Sequence, residues 1–499
     1  MDTHIGKSAF VAEIEAGLIA GGPKKLLIGG KWIDPVSGGN FPTINPATGE
    51  VLAHIAEGGA QDIDLAVAAA RKALNGPWGR FTPFERQELI LKFCDAIEAN
   101  WDELCLLDTL EMGAPYGRSR REIIGRLRFC AGLATALHGE TIATSVPGEA
   151  FAYTLKEPVG VVGAIIPWNG PLPATIWKLG PVLATGCALV LKPAEEASLT
   201  ALRLGELLLD IGLPPGVINI VTGFGETAGA ALANHPDVDK VAFTGSNETG
   251  RHIVRASASN MKRLSLELGG KSPHIIFADA DLEAAARSAA MGVFANSGQV
   301  CCAGTRVFIE KPIYDEFVAR VAEIARHLKV GNGLDPATEI GPLVSGQQLD
   351  RVVGYLDIGK REGAEVLAGG GRLTEGALGK GFFVQPTVFA NVGDSMRIAT
   401  EEIFGPVLSA IPFTEFDEVV ARANDTRFGL AAGVWTRDLS KAHRIAARIR
   451  AGSVWINCYN IFDAALPFGG YRESGYGRES GIQQLEEYMQ VKAVTIQVG

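Results

Sequence analysis

The chain has 499 residues, 47% of them apolar and 20% charged, with a formal net charge of −10. That length supports about three domains, and the composition is that of an ordinary soluble globular chain with ample core. The acidic balance counts against nucleic acid and anionic membrane surfaces as partners, since both attract basic patches.

No run of about 18 uncharged apolar residues occurs, so no bilayer-spanning helix is expected. The first 22 residues carry one lysine, Lys7, and their apolar part is broken by Glu13 and Glu15. An amphipathic starting helix is expected there rather than a signal peptide, and the expected compartment is the cytoplasm. Seven scattered cysteines (Cys94, Cys105, Cys130, Cys187, Cys301, Cys302, Cys458) read as reduced thiols. No CxxC occurs and no histidine stands at ligand spacing from a cysteine. Neither a metal site nor a Cys–His catalytic pair is therefore expected.

Between residues 25 and 55, short apolar runs alternate with Gly, Pro and Asn turns, which predicts a β-hairpin and loop ahead of the main fold. Ile63, Val67, Ala70 and Leu74 recur at helical spacing and predict one buried face. Residues 83–100 and 101–110 repeat the pattern, so the first 140 residues are expected to be mostly helical after the hairpin. Four continuous apolar runs follow: VVGAII (161–166), ALVLK (188–192), VINIV (217–221) and VAFTG (241–245). Helical stretches such as 198–212 separate them, which predicts a parallel sheet covered on both faces. Each run ends in a polar or glycine-rich turn. Ligands of open parallel sheets bind beyond the carboxyl ends of the strands, so the turns are expected on one rim.

Gly223, Gly225 and Gly229 form GxGxxxG between a strand and a helix, and Gly245-Ser246 with Gly250 is a second candidate. Such turns let backbone amides and a helix N-terminus approach a diphosphate, although glycine turns are common in a chain with 61 glycines. Lys192 and Glu195 follow another strand. A carboxylate beside a ribose accepts from its hydroxyls and repels a 2′-phosphate; on spacing alone, a solvated loop is the plainer reading.

A second α/β unit begins after Lys271. A helix over 282–297 is expected to deliver Cys301, followed by strand, turn and helix, then a glycine-rich stretch from 331 to 381 with helical spacing near 349–362. Further strands are expected within 401–413 and 453–460. The segments FAYTLKEP (151–158) and YMQVKAVTIQVG (488–499) alternate like exposed edge strands, which want partners. Both are expected to pair across subunits. Glu267 stands just before Gly269 and Gly270. Brought into one cleft, Cys301 and Glu267 would make a nucleophile and a base.

The stretches PWNGPL, LKPAEEAS, GFGETAG, FTGSNETG, LELGGKSP, GQVCCAGTR, EEIFGPV and PFGGYRESGYGRE carry a resemblance. In this order, from about residue 25 to the end, the chain resembles the NAD(P)-dependent aldehyde dehydrogenase superfamily, in its non-acylating, NAD-preferring branch. The resemblance implies an α/β fold: a Rossmann-like cofactor domain (1–140 and 159–270), an α/β catalytic domain (271–470) and a small β oligomerisation domain (141–158 and 471–499). It implies Cys301 as nucleophile, Glu267 as general base, Asn169 at the oxyanion, and Lys178 and Glu479 as proton-relay residues. It implies NAD as cofactor, held by Ile165, Trp168, Lys192, Glu195, Gly225, Gly229, Phe243, Gly245, Ser246, Leu268, Glu402 and Phe404. The implied partners are a small-molecule aldehyde and further copies of the chain, in a dimer or tetramer.

Two positions depart from close relatives, which often carry aromatics where this chain has Gly170 and Ala295. With Trp177, Phe294, Phe462 and Phe468 as remaining lining, the expectation is a wider tunnel for a bulky aromatic, terpenoid or long-chain aldehyde. Two other functions compete. A CoA-acylating semialdehyde dehydrogenase would not need Glu267 to activate water. A non-catalytic protein on this fold would be expected to lose Cys301, Glu267 or Asn169.

Overall fold

A computed structural model describes Ile14, Ile19 and residues 21–117 and 119–498. The expected starting helix falls largely outside them.

The chain opens with two short hairpins where one was expected. Strands β1 (Leu26–Ile28) and β2 (Lys31–Ile33) form the first, and β3 (Asn40–Ile44) and β4 (Val51–Ala56) the second. Helices Ala60–Leu74, Pro83–Ala99, Trp101–Met112 and Arg120–Ala134 follow. Their starts are chemically marked. Thr82 accepts from the Glu85 amide while Glu85 reaches back, and Pro83 occupies the first helical position, where its missing N–H costs nothing.

Strands β5 (Thr141–Ile142) and β6 (Ala150–Pro158) precede the parallel core: β7 (Val161–Ile165), β8 (Ala188–Lys192), β9 (Ile218–Ile220), β10 (Lys240–Thr244) and β11 (Arg263–Glu267). The second unit holds β12 (Pro273–Ile276), β13 (Arg306–Glu310), β14 (Glu365–Ala368), β15 (Thr387–Ala390), β16 (Val407–Phe413), β17 (Ala431–Trp435) and β18 (Ser453–Ile456). Strands β19 (Gly475–Tyr476) and β20 (Met489–Gln497) close the chain.

The first sheet runs β19-β11-β10-β7-β8-β9-β1-β2, and the second β14-β15-β16-β13-β12-β17-β18. Strands β7 to β11 are parallel throughout. Because both faces are covered, alternate residues enter separate cores. Val162, Ala164, Leu189 and Leu191 pack against the helices on one side, while Val161, Ile165, Val190 and Phe243 pack on the other. The strand order reverses between β7 and β10, the place where a crevice opens beyond the carboxyl ends. The fold class is the expected one.

The last segment departs from expectation in two ways. Strands β6 and β20 pair with each other within the chain, antiparallel over nine residue pairs from Met489↔Pro158 to Gln497↔Ala150. The residues before β20 also serve the first sheet, since β19 pairs with β11 at Leu266 and Glu267. Among the described residues no helix is long and apolar enough to cross a membrane.

Candidate active site

Three turns after β7, β10 and β11 form one wall of the site, at the strand-order reversal. The helix ahead of Cys301 ends at Phe294, three residues sooner than its periodicity predicts. Asn296 (φ 54°), Ser297 (φ 58°) and Gly298 (φ +71°) then run left-handed, a conformation costly for residues with a Cβ and held here by side-chain bonds. A Cβ on Gly298 would collide with the Gly405 carbonyl, so the turn needs glycine as well as its handedness.

Side-chain amides fasten this turn to the one after β7. Asn169 Nδ2 donates to the Gln299 carbonyl at 2.9 Å, and Asn296 Nδ2 donates to the Asn169 carbonyl at 2.9 Å. Gln299 is fully buried and accepts at Oε1 from the Val344 amide, 2.9 Å away. Asn169 thus spends one amide hydrogen on structure and keeps a second, since an NH₂ group has two. Gly270 lets the chain pass close behind the thiol residue; a Cβ there would lie 2.6 Å from the Cys301 carbonyl.

Cys301, Glu267 and Asn169 line one cavity of about 420 Å³ together with Trp168, Gly245, Ser246, Leu268, Glu402 and Phe404. Of the residues that the sequence singled out, these nine meet there. Trp168 and Phe404 sit edge to face at 5.3 Å, and the Gly270 amide donates to Glu402 Oε1 at 2.9 Å. Ser246 caps the helix Asn247–Ser257, accepting from the Thr249 amide.

Burial, then the charges of Glu479 and Cys301, push the Glu267 carboxyl well above the usual carboxylate range, while Lys178 and Arg478 oppose the rise. The Cys301 thiol is also pushed well up, first by the neighbouring Cys302 thiol and next by burial. A thiol so placed needs a base to become a nucleophile. Cys302 is itself buried and donates to Asn460 Oδ1 at 3.3 Å. Lys178 and Glu479 form a buried ion pair, with side chains 1% and 2% exposed. Gln484 donates to the other Glu479 oxygen.

Trp177, Phe462 and Phe468 pack in one apolar cluster with Cys301 and Cys302. Gly170 and Ala295 are partly buried. Phe294 corrects the expected tunnel lining: it is fully buried in a core beside the second sheet, with Val293 and Phe317, because it lies on the helix face that also carries Ala286 and Ala290.

Six expected cofactor residues do not line the cavity. Ile165 and Phe243 lie in the core of the first sheet. Lys192 Nζ donates to Glu195 Oε2 at 2.8 Å, so the pair satisfies itself. Gly225 and Gly229 bound a five-residue turn before a five-residue helix, rather than opening a long one. Sequence reasoning missed Glu196, Gln348 and Arg351, which do line the cavity. Burial, then the charge of Glu195, raises Glu196 to about 7. The doubled acid in KPAEE was its only signal; Gln348 and Arg351 had none, since the helical spacing near 349–362 marks a helix but not which of its polar residues face the cavity.

A family model described as "Aldehyde dehydrogenase family" matches residues 32–494. The chain belongs to the aldehyde dehydrogenase family. The human mitochondrial aldehyde dehydrogenase is 50% identical over 481 residues, covering 95% of this chain and 92% of that one. A mitochondrial benzaldehyde dehydrogenase of Antirrhinum majus is 49% identical over 476 residues, covering 94% and 88%. The NAD⁺ complex of a Bacillus cereus aldehyde dehydrogenase superposes with a TM-score of 0.94 at 47% identity, covering 98% of this chain and 99% of that one. Aldehyde dehydrogenase activity follows from this membership, and the parallel-sheet architecture is that of the aldehyde dehydrogenase fold.

Proposed function

We propose that this chain uses NAD to oxidise a bulky aromatic, terpenoid or long-chain aldehyde to the free acid. The observation that carries the reading is the single cavity shared by Cys301, Glu267, Asn169, Ser246, Glu402 and Phe404. The chain's own residues fit the cofactor. Ser246 heads an eleven-residue helix whose N-terminus suits a diphosphate. A Cβ at Gly225 would project into open space beside the same rim. Trp168 and Phe404 offer ring faces, and Glu402 a buried carboxyl, for the nicotinamide end. NAD, when bound, would accept the hydrogen and its electron pair that leave the substrate carbon.

Cys301 gives its thiol proton to ionised Glu267, which passes it on to solvent, and Sγ adds to the aldehyde carbon, so that the carbonyl oxygen becomes anionic. The free amide hydrogen of Asn169 and the Cys301 backbone N–H donate to that oxygen, each worth about 3 kcal/mol in comparable sites. The oxidised adduct is a thioester on Cys301. Glu267 takes a proton from the water that attacks it, releasing the acid and restoring the thiol. A carboxyl raised by burial suits that task near neutral pH.

Glu267 serves as base only when ionised, and its carboxyl is raised, so kcat is expected to fall with acid above the ordinary carboxylate range. Glu267→Gln is expected to lower steady-state NADH formation about 10²–10⁴-fold and remove that acid limb. An unchanged limb in the variant would assign the titration elsewhere.

Glu195 supports a preference for NAD over NADP, because a second negative charge at the ribose would meet its carboxylate. Saturation curves with both cofactors test this, and Glu195→Gln is expected to narrow the gap. Gly170 and Ala295 support the wide tunnel. Rates are expected to rise from acetaldehyde to benzaldehyde, citral and decanal, and turnover confined to acetaldehyde would refute it. The ribbon of β6 and β20 exposes Phe151, Leu155, Val491 and Ile496 and is our proposed surface for self-association. Residues 1–140 and 159–270 would then form the cofactor unit and 271–470 the catalytic unit.

A further inference from the structure

The turn that carries the nucleophile, Val300 to Ala303, is closed by the Ala303 amide donating to the Val300 carbonyl at 3.1 Å, with Cys301 and Cys302 at its two corners. Its upstream end is pinned, since the Gln299 carbonyl accepts from Asn169 at 2.9 Å and from Asn296 at 3.2 Å. Its downstream end is pinned by Tyr459, which donates its hydroxyl hydrogen to the Cys302 carbonyl at 2.7 Å. The next residue, Asn460, accepts the Cys302 thiol hydrogen at Oδ1, 3.3 Å away. Two consecutive residues thus hold both the backbone and the side chain of Cys302.

Both residues come from the loop after β18, which is itself tightly held. Asn457 (φ 54°) and Asn460 (φ 54°) are left-handed, a conformation that asparagine tolerates better than most residues. Asn457 exchanges two hydrogen bonds with Thr436: Oδ1 accepts from its amide and Nδ2 donates to its carbonyl, each at 3.0 Å. The buried Tyr459 ring stacks on His274 at 4.5 Å and meets Trp455 at 4.9 Å. It fills a slot left by missing side chains. A Cβ at Gly433 of β17 would lie 2.5 Å from its Cδ2, and one at Gly304 would lie 3.0 Å from Cζ and from the hydroxyl oxygen. Strand, histidine and the nucleophile's own loop therefore leave the ring one seat, in an interior packed too densely for it to wander. A phenylalanine would fill the same slot. What the tyrosine adds is the hydroxyl, and the hydroxyl reaches Cys302.

We infer that Tyr459 and Asn460 are positioning residues for the nucleophile: they fix the orientation of the Cys301–Cys302 turn, so that Cys301 meets the aldehyde and Cys302 stays in the apolar core. The inference rests on Cys301 as the nucleophile of the proposed reaction. The two thiols share one chemistry and adjacent backbones, so the orientation of the turn is what separates them. Cys301 lines the cavity, while Cys302 packs with Leu430, Ala431 and Phe468. The Cys301 backbone N–H, a donor to the oxyanion, belongs to the same turn. With both ends of the turn held, sulfur and donor keep one spacing as the aldehyde enters, and a displacement of about 1 Å in such a site can cost about 10²-fold in rate.

Tyr459→Phe keeps the ring and removes the bond. It is expected to lower kcat/KM for the fastest aldehyde of the series about tenfold or more, while KM for NAD stays within about twofold of wild type. Iodoacetamide at limiting concentration, with the labelled peptide identified by mass spectrometry, reports which thiol the turn presents. Wild type is expected to be labelled at Cys301, and the share on Cys302 to rise at least about fivefold in Tyr459→Phe. Asn460→Gly removes the acceptor of the Cys302 thiol at a left-handed position that glycine tolerates, and is expected to raise that share as well. Asn460 is only partly buried, so this second variant decides the matter if the tyrosine variant does not fold. A labelling ratio unchanged from wild type in either folded variant overturns the inference. So does a Tyr459→Phe protein with a lower urea midpoint but wild-type kcat/KM per folded molecule, since the hydroxyl would then serve stability alone. Failure of the underlying reading looks different, as wild type labelled first at Cys302 or NADH formation that survives Cys301→Ala.

Discussion

Cys301→Ala is expected to lower NADH formation by at least about 10³-fold with every aldehyde while leaving the folded protein intact, and Cys302→Ala to stay within about tenfold of wild type. The two thiols are adjacent in sequence but differ in surroundings. Cys301 lines the cavity with Glu267 and Asn169. Cys302 is 1% exposed, packs with Leu430, Ala431 and Phe468, and bonds to Asn460. Cys302→Ala also removes the first cause of the raised Cys301 thiol, so the variant's thiol is expected to titrate lower. Iodoacetamide inactivation followed against pH reads that shift directly. Activity lost in Cys302→Ala but kept in Cys301→Ala would reverse the assignment.

Lys178→Met or Glu479→Ala alone is expected to cost about 3–5 kcal/mol of stability, seen as a lower urea midpoint, because either leaves a buried charge without its partner. The double variant Lys178→Met with Glu479→Gln is expected to lose less than the sum of the singles. The pair also bears on Glu267. Glu479 is the second cause raising that carboxyl and Lys178 the leading opposing one. Loss of Glu479 is therefore expected to move the acid limb of kcat to lower pH, and loss of Lys178 to higher pH. Singles as stable as wild type, with unmoved pH profiles, would show that the pair carries neither role.

The parallel strands were legible because burial on both faces writes them as unbroken apolar runs. ALVLK and β8 coincide residue for residue. The site was legible as short motifs, and the turns after β7, β10 and β11 do bring Asn169, Ser246 and Glu267 to one rim. What stayed hidden depends on handedness and on distant partners. Nothing in the apolar spacing marks Asn296 and Ser297 as left-handed, so the helix was carried three residues too far. The edge pattern of β6 and β20 announced a need for partners but could not say that each would find the other.

The pairing of β19 with the end of β11 has a consequence for biosynthesis. A ribosome finishes the cofactor-side strands more than two hundred residues before it makes Gly475 and Tyr476, which flank Glu267, and Glu479, which pairs with Lys178. The nascent chain can therefore fold most of both sheets while its reaction centre stays open to water. A premature stop codon between Ile456 and Gly475 would yield a protein with nearly all its core and an unfinished catalytic wall.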